Sequence, residues 1–313
     1  MDRREFLKRG SLWLGGVGGL GLLGGCQTTD LGAGLSRMGQ TFGGIGGIGG
    51  GDSRVDSLLR VGGAVARAME DLDAEQEYYL GRTVAANLLT EYKTWDHRAA
   101  NDYLNLVGRY LSSASALPET FGGYHFQILD SDEINAFAAP GGLILVTRGL
   151  LRCCKSEDAV AAVLAHEVGH VQHRHGIRAI RRSRLTSAAS IIGVEAARHA
   201  GSPELGQLVN HFEGSINDII VTMVNNGYSR DFERESDQVA VGILQRTGYD
   251  DRALVAMLEE MGDRLRPDAK DFAATHPTPA ERIATIEPNL VSTAERPVSR
   301  ARQTRFLRAM SSV

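Results

Sequence analysis

The strongest constraint on the fold is a long apolar helical stretch that ends in two histidines one turn apart. The pattern of residues 156–176 predicts a helix that Ser156 can cap and whose first turn carries two acidic residues. An apolar run over 159–165 leads directly to His166 and His170. The i, i+4 spacing places both imidazoles on one face, from which both can reach a single zinc ion at about 2.0–2.1 Å.

Glu167 lies beside the first histidine and can accept a proton from a zinc-bound water. The His-Glu-x-x-His pattern also arises by chance in structural helices, so a third ligand has to be found. His173 and His175 follow within two turns, but His173 lies about 10 Å further along the helix axis than His166. We therefore expect His173 to be exposed or to support the ligands from outside.

A downstream cluster of charged residues offers a better third ligand. Glu233 and Asp237 share one face of a predicted helix over 229–247, so Glu233 can bind the metal while Asp237 orients a ligating histidine. Arg230 lies one turn before Glu233 and can pair with carboxylates around the site, whereas Glu235 points to another face. The alternative is a solvated helix that carries many charges.

The chain as a whole predicts an α+β fold, mostly helical, with a small sheet packed beside the His-Glu-x-x-His helix. Three short segments have strand-like patterns, and a Pro-Gly-Gly turn at 140–142 joins the last two. Asp73 and Asp96 are candidate N-caps, and the adjacent Cys153 and Cys154 are expected to pack at a helix start. The predicted strands are 124–130, 134–139 and 143–147, and the predicted helices are 73–90, 96–113, 156–176, 184–198, 203–226, 229–247, 251–264 and 278–286.

The first 54 residues have the composition of a targeting segment and a tether. Residues 1–25 resemble a signal peptide with a twin-arginine motif, and Leu-Gly-Gly before Cys26 resembles a lipobox, which predicts lipidation of Cys26. The alternative is an ordinary cleaved signal with a chance cysteine. Residues 26–54 are rich in glycine and predict a flexible tether. Because Gln27 rather than Asp follows the cysteine, we expect the periplasmic face of the outer membrane as the destination.

The remaining residues divide into one domain over 55–290 and a basic tail over 291–313. The arginines of the tail can contact anionic lipid or form the solvated end of a helix. The formal net charge of −4 argues against nucleic acid as a partner. No apolar run approaches the length of about eighteen residues expected of a membrane-spanning helix. The sequence leaves the oligomeric state open.

The combined motifs resemble the zinc peptidase family that contains HtpX and the CaaX prenyl proteases. The pattern is His-Glu-x-x-His at 166–170 followed by Ser-Arg-x-x-Glu-x-x-x-Asp at 229–237. Within the family the chain is most similar to the compact outer-membrane lipoprotein branch of LoiP and BepA, and we expect no tetratricopeptide repeats. Further stretches that match the family, within a resemblance that covers about 73–286, are 135–142, 174–176, 275–277 and 281–283.

The resemblance implies one zinc ion per chain, bound by His166, His170 and Glu233, with Glu167 as the general base. It implies an endopeptidase of the bacterial cell envelope that hydrolyses unfolded or misassembled periplasmic and outer-membrane proteins. One alternative is a membrane-tethered chaperone or assembly factor that binds such clients and cleaves rarely. Another is a structural zinc domain.

Two further elements are expected to act at the site. The predicted strand containing Asn135, Ala136 and Phe137 can hold an extended substrate by adding it as an extra strand; the alternative is a buried core strand. His276 belongs to the late family motif and lies on a loop with two prolines. It can close the fourth zinc position as a latch or donate a hydrogen bond to a developing oxyanion. The alternative is a residue that caps a helix or packs in the core.

Overall fold

The computed structural model describes residues 72–182, 227–264, 276–291 and 299–313. These ranges all belong to one structural unit, Val61–Val313. Several sequence predictions lie outside the described residues, namely the signal peptide at 1–25, Cys26, the tether at 26–54 and the helices at 184–198 and 203–226.

The described ranges form helices around a small mixed sheet, which confirms the predicted α+β class. Within these ranges, none of the helices combines the length and apolar character that a bilayer crossing requires. In chain order the elements are α1 (Ala74–Glu91), α2 (Arg98–Ser113), β1 (His125–Leu129), β2 (Ala136–Ala139), β3 (Leu143–Thr147), α3 (Arg148–Cys153), α4 (Glu157–Gln172), α5 (Arg230–Thr247), α6 (Ala253–Arg264), α7 (Pro279–Ile286) and α8 (Arg300–Met310).

The sheet has the strand order β1-β3-β2, with β1 parallel and β2 antiparallel to β3. The predicted Pro-Gly-Gly turn joins β2 to β3. Gly141 and Gly142 have φ values of 74° and 93°, a left-handed backbone that glycine adopts without steric cost. The turn therefore lets β2 fold back tightly beside β3 and leaves β2 at an edge of this sheet.

Side chains alternate between the two faces of the sheet, as the period of a strand requires. Ile144 and Val146 lie in the apolar cluster shared with α2 and α4. Leu145, and Phe137 on the neighbouring strand, lie in the cluster shared with α1. Removing an apolar side chain of this size from water stabilises a fold by about 1.5–3 kcal/mol. The sheet is therefore covered on both faces and held rigidly beside α4.

Helix α4 is the central element of the domain. Ser156 caps it as predicted, accepting a hydrogen bond from the backbone N–H of Ala159, and every residue from Ala159 to Val171 is buried. A helix that is apolar around its whole circumference has to be enclosed. Here α2, α5, α6 and β2 all pack against it. The two histidines of the motif are consequently buried as well.

The predicted helix over 156–176 ends four residues early, at Gln172. Arg174 adopts a left-handed φ of 53°, which is uncommon for a residue other than glycine. Its guanidinium stabilises the break, because Nε donates to Glu77 Oε2 at 2.6 Å and Nη2 donates to the Leu72 carbonyl at 2.9 Å. Helical conformation resumes at residues 175–182. The break decides where His175 lies.

Two local predictions were wrong. Asp96 does not cap α2; His97 does, since its Nδ1 accepts from the backbone N–H of Ala100. Cys153 and Cys154 are buried free thiols that pack in the core as expected, but they lie at the end of α3 rather than at a helix start. Asp73 does cap α1: its Oδ1 accepts from the backbone N–H of Gln76, and the Asp73 backbone N–H donates in return to Gln76 Oε1.

The basic segment predicted as a tail forms α8, which packs on α2 and α4. Arg305 pairs with the buried carboxylate of Glu157 in the first turn of α4. Arg302 pairs with Asp158 at 3.2 Å and stacks on the ring of Tyr249 at 3.9 Å. These arginines thus form ion pairs within the domain, and they neutralise the acidic first turn of α4.

Candidate metal centre

Three side chains from two helices converge at the middle of the domain. His166 Nε2 and His170 Nε2 on α4 lie 3.1 Å apart. From α5, Glu233 places Oε2 3.5 Å from His166 Nε2 and Oε1 3.4 Å from His170 Nε2. All three side chains are buried. The structure therefore brings together the three ligands expected from the sequence.

This arrangement fits a zinc ion. Four ligand atoms placed tetrahedrally at about 2.0–2.1 Å from zinc lie about 3.3–3.4 Å from one another, close to the distances between the histidine and glutamate atoms. Within the described residues, no hydrogen-bond donor reaches Glu233 Oε1, although the atom is buried. Leaving a buried carboxylate oxygen without a partner is costly, and a cation between these side chains would remove the cost.

Close packing between α4 and α5 positions the glutamate. Ser229 caps α5 as predicted, by accepting from the backbone N–H of Phe232. Gly169, between the two histidines, faces Ser236 on α5. A Cβ on Gly169 would lie 2.9 Å from the Ser236 Cα, closer than side-chain carbons approach. Glycine at this position therefore lets the helices come near enough for Glu233 to reach both imidazoles.

A buried carboxylate and an arginine hold His166. Asp237 Oδ1 lies 2.9 Å from His166 Nδ1, so it is placed where a residue that orients this histidine is expected. Arg282 on α7 donates to both carboxylate oxygens of Asp237, from Nε to Oδ2 at 3.0 Å and from Nη2 to Oδ1 at 2.6 Å. The ring nitrogen that faces away from Glu233 is thus fixed by a charge-assisted network.

The structure does not bring Arg230 to this cluster. Its side chain is exposed and pairs with Glu281 at 3.1 Å. Arg282, the next residue along α7, takes the buried position instead and is 3% exposed. The late Glu-Arg-Ile motif was the only sequence signal for Arg282. Its partner Asp237 lies 45 residues earlier in the chain, so no helical or strand periodicity relates the two residues.

Glu167 is buried beside the ligands and is available as a proton acceptor. Burial raises its pKa above the ordinary value for a glutamate, an effect that His166 and His276 reduce. A carboxyl whose pKa lies closer to neutrality accepts and returns a proton more effectively than a carboxyl with the ordinary, lower pKa.

The ligands themselves differ in protonation. Burial lowers the pKa of His170 to about 3, so this imidazole is neutral and ready to bind a metal. Burial and Arg282 also lower the pKa of His166, but Asp237 and Glu233 outweigh them and raise it to about 9. Despite its burial, Glu233 has a pKa well below its ordinary value because His276, His166 and His170 surround it. A metal that bound through His166 at neutral pH would displace a proton from this ring.

His276 reaches the cluster from the loop before α7. Its Nδ1 lies 2.7 Å from Glu233 Oε2, and its side chain is 5% exposed. Each of the four side chains His166, His170, Glu233 and His276 offers one ligand atom within 4.8 Å of the others. Thr278, not His276, caps α7. The structure thus places His276 at the site, as one of the sequence hypotheses required.

The proposed substrate strand lies next to the site but its side chains face the core. Asn135, Ala136 and Phe137 are all buried, and the ring of Phe137 packs 5.3 Å from that of Tyr92. Contact with a substrate through these three side chains is therefore not available. All four residues of β2 are buried, so the backbone of this strand is not open to an extended peptide either.

Two aromatic side chains that contact His170 were not predicted as part of the site. Tyr228 stacks on the ring of His170 with centroids 4.5 Å apart, and His175 places Nδ1 3.0 Å from His170 Nδ1. Tyr228 directly precedes the Ser-Arg motif, but an aromatic residue at that place predicts packing as readily as a role at the site. His175 was noted, but a continuous helix would have directed it elsewhere.

A buried His-Glu-x-x-His helix with a glutamate ligand from a second helix defines a class of metal-dependent hydrolases. Residues 98–289 match the family model described as Peptidase family M48, and the chain belongs to this family. The family expected from the sequence motifs is thereby confirmed.

Relatives with curated names agree with this assignment. The chain is 33% identical over 193 residues to the beta-barrel assembly-enhancing protease of Escherichia coli (strain K12), which covers 58% of this chain and 37% of that protein. It is 27% identical over 230 residues to the mitochondrial metalloendopeptidase OMA1 of Schizosaccharomyces pombe, and the match covers 71% of this chain and 63% of that protein. It is 26% identical over 186 residues to the metalloprotease YcaL of Escherichia coli (strain K12), and the match covers 59% of this chain and 70% of that protein. The chain thus spans little more than a third of the first of these relatives.

Proposed function

We propose that this protein is a zinc-dependent endopeptidase of the bacterial cell envelope, with one zinc ion per chain. One observation carries the proposal: His166, His170 and Glu233 converge with zinc-like spacing while Glu167 lies buried beside them. The relatives named as proteases and metalloendopeptidases support it. A site that only bound zinc for structural reasons would have no need of a buried acid next to the ligands.

The residues around the site have distinct tasks in peptide-bond hydrolysis. Bound by the two histidines and Glu233, zinc would lower the pKa of water and polarise the scissile carbonyl. Glu167 accepts the proton of the attacking water and returns it to the leaving amine, a task that its raised pKa favours. Asp237 and Arg282 keep the ring of His166 in one orientation.

The substrates are proposed to be unfolded or misassembled proteins of the periplasm and outer membrane. Because β2 is buried, it would have to be uncovered before an extended chain could add to it through its backbone, whatever the side chains of that chain are. A folded protein offers no such extended segment. The name of the beta-barrel assembly-enhancing relative supports a role connected with β-barrel assembly.

The experiment that tests the function is casein hydrolysis by the purified chain loaded with zinc. Glu167→Gln is expected to lower the rate by about 100–10,000-fold, the usual effect of removing a general base, while zinc content stays at one ion per chain. Glu119→Gln, a change at an exposed residue of the segment between α2 and β1, is the matched control and should cleave normally. Equal cleavage by Glu167→Gln would reject the mechanism, and no cleavage by the parent protein would favour a client-binding role.

His276 is proposed to regulate access to the metal or to assist the reaction, since its ring lies against Glu233. As a latch, it closes the fourth position, so His276→Ala raises basal casein cleavage with zinc retained. As an oxyanion donor, it stabilises the transition state, so the same change lowers cleavage by about 100–1,000-fold. An unchanged rate with unchanged zinc would exclude both roles.

Lipidation at Cys26 is proposed to anchor the protein to the periplasmic face of the outer membrane after twin-arginine export. The lipobox-like residues before Cys26 and the glycine-rich tether after it support this. Cys26→Ser is expected to release the protein into the soluble periplasm or to block its processing. Full retention of the variant in the outer-membrane fraction would contradict the anchor.

A further inference from the structure

The second histidine ligand, His170, meets another imidazole on the side away from Glu233. His170 Nε2 faces the glutamate, and His170 Nδ1 lies 3.0 Å from His175 Nδ1. The side chains of both histidines are fully buried. Two ring nitrogens at this distance share one proton, so one of them donates and the other accepts.

The direction of that hydrogen bond follows from metal binding. When His170 offers the lone pair of Nε2 to a metal, its single proton lies on Nδ1 and is donated to His175 Nδ1. His175 then carries its own proton on Nε2, which lies 2.9 Å from Glu235 Oε2. Each donor therefore meets an acceptor, from the metal ligand through His175 to the carboxylate.

The far end of this chain of hydrogen bonds is held in place. Arg178 binds Glu235 through both guanidinium Nη atoms. Phe232 stacks on His175 with ring centroids 4.3 Å apart and an interplanar angle of 4°, and Arg178 lies 4.3 Å from the centre of the Phe232 ring. His175 and Arg178 thus lie against the same aromatic ring, so neither the imidazole nor Glu235 is free to rotate.

We propose that His175 and Glu235 are positioning residues that set the tautomer and orientation of His170 for metal binding. They bind neither metal nor substrate; they act through His170. The proposal deepens the function proposed above and rests on it, since it assigns the outer support of the second histidine ligand of the same zinc site.

A second metal site is the competing interpretation, because His173, His175 and Glu235 each offer a ligand atom within reach of one another. Two observations oppose it. Arg178 already holds Glu235, and a second cation close to a guanidinium is repelled. His173 Nδ1 lies 3.8 Å from Glu235 Oε2, a looser contact than the one that His175 makes.

The test measures zinc affinity of the full chain by competition with a chromogenic chelator, together with bound zinc per chain. His175→Phe preserves the stacking on Phe232 but removes the acceptor, so we expect affinity to fall about 10–100-fold. His175→Gln keeps an acceptor and a donor on one side chain and is expected to recover part of that loss. His173→Phe is the matched control: it alters the neighbouring ring without touching His170 and should bind zinc normally.

Three outcomes would overturn the proposal: wild-type affinity in His175→Phe, equal losses in His175→Phe and His173→Phe, or two zinc ions per wild-type chain. Thermal unfolding of the chelator-treated variants shows whether they fold. If His175→Phe does not fold, Glu235→Leu decides, because it removes the carboxylate that accepts from His175 Nε2; wild-type zinc affinity in that variant would overturn the proposal. Because affinity is read without substrate, failure of casein hydrolysis in the wild-type chain would reject the proposed function and leave this test intact.

Discussion

The two histidine ligands are supported by partners of different kinds. His166 faces a carboxylate directly, and the arginine that holds Asp237 is buried with it; their side chains are 3% and 2% exposed. His170 faces a second imidazole, which leads to Glu235 and Arg178 near the surface, with side chains 33% and 40% exposed. The support of His166 is short, charged and shielded from water. The support of His170 is longer and ends at the solvent-exposed surface.

This difference teaches how the two supports divide the work. A hydrogen bond to a charged group is roughly twice as strong as one between neutral groups, and solvent screens charges at a surface far more than buried ones. We therefore expect the Asp237 support to contribute most to metal affinity and to the stability of the domain. The His175 support is expected to set the geometry of His170 and to add a smaller, salt-sensitive contribution.

The largest effect is expected at Glu233, which faces the Nε2 atoms of both His166 and His170. Glu233→Gln removes the negative charge that faces both imidazoles, so the variant should lose bound zinc and casein hydrolysis together. Zinc per chain, measured by atomic emission, checks this, with the exposed Glu287→Gln as control. A normal zinc content in Glu233→Gln would show that Glu233 is not a ligand.

A smaller loss is expected when the buried support is broken. Asp237→Asn leaves Arg282 buried without its carboxylate, and breaking a buried ion pair in this way typically destabilises a protein by about 3–5 kcal/mol. Zinc affinity should also fall more than in His175→Phe, towards the upper end of the range of about 10–100-fold, because His166 loses its orienting partner. Urea unfolding and chelator competition measure the two effects. A variant as stable as the parent would mean that the pair contributes specificity rather than stability.

The smallest effect is expected at Glu235. Arg178 and His175 lower its pKa to about 2, from an ordinary value of 4.5. A carboxyl with a depressed pKa contributes stability that is fully present above its unfolded pKa and is lost as pH falls towards 2. In chelator-treated protein, stability measured by urea should therefore fall between pH 5 and pH 2 less steeply in Glu235→Gln than in the parent.

High salt is a second way to separate the two supports. In 1 M sodium chloride the difference between Glu235→Gln and the parent should shrink, because the partly exposed pair is screened. The loss in Asp237→Asn should change little. If both losses respond equally to salt, the contrast between a buried and an exposed support is wrong.

Local patterns predicted most of the architecture. Four helices begin next to the predicted residues, and three of them have the caps expected, which are Asp73, Ser156 and Ser229. The third strand has the predicted bounds. Two predictions erred for different reasons. The cap at His97 was a choice between two neighbouring residues, and the end of α4 depended on a contact with a distant element.

The sequence by itself determined which residues can share a helical face. His166 with His170, and Glu233 with Asp237, are pairs at i, i+4, and a helix that forms at all must align them. The spacing predicts the two helices of the site, whereas its class and Glu233 as the third ligand were implied by the resemblance of the combined motifs to a known family. The apolar run before His166 likewise requires that the helix be enclosed, which the structure shows.

Only the tertiary structure decided which distant side chains complete the site. Arg282 rather than Arg230 meets Asp237, and His276 meets Glu233, across gaps of more than 40 residues. His175 reaches His170 only because Arg174, bound by Glu77 of α1, interrupts the helix. Such contacts depend on how separate helices pack, and a periodic pattern records only what each helix presents on its own surface.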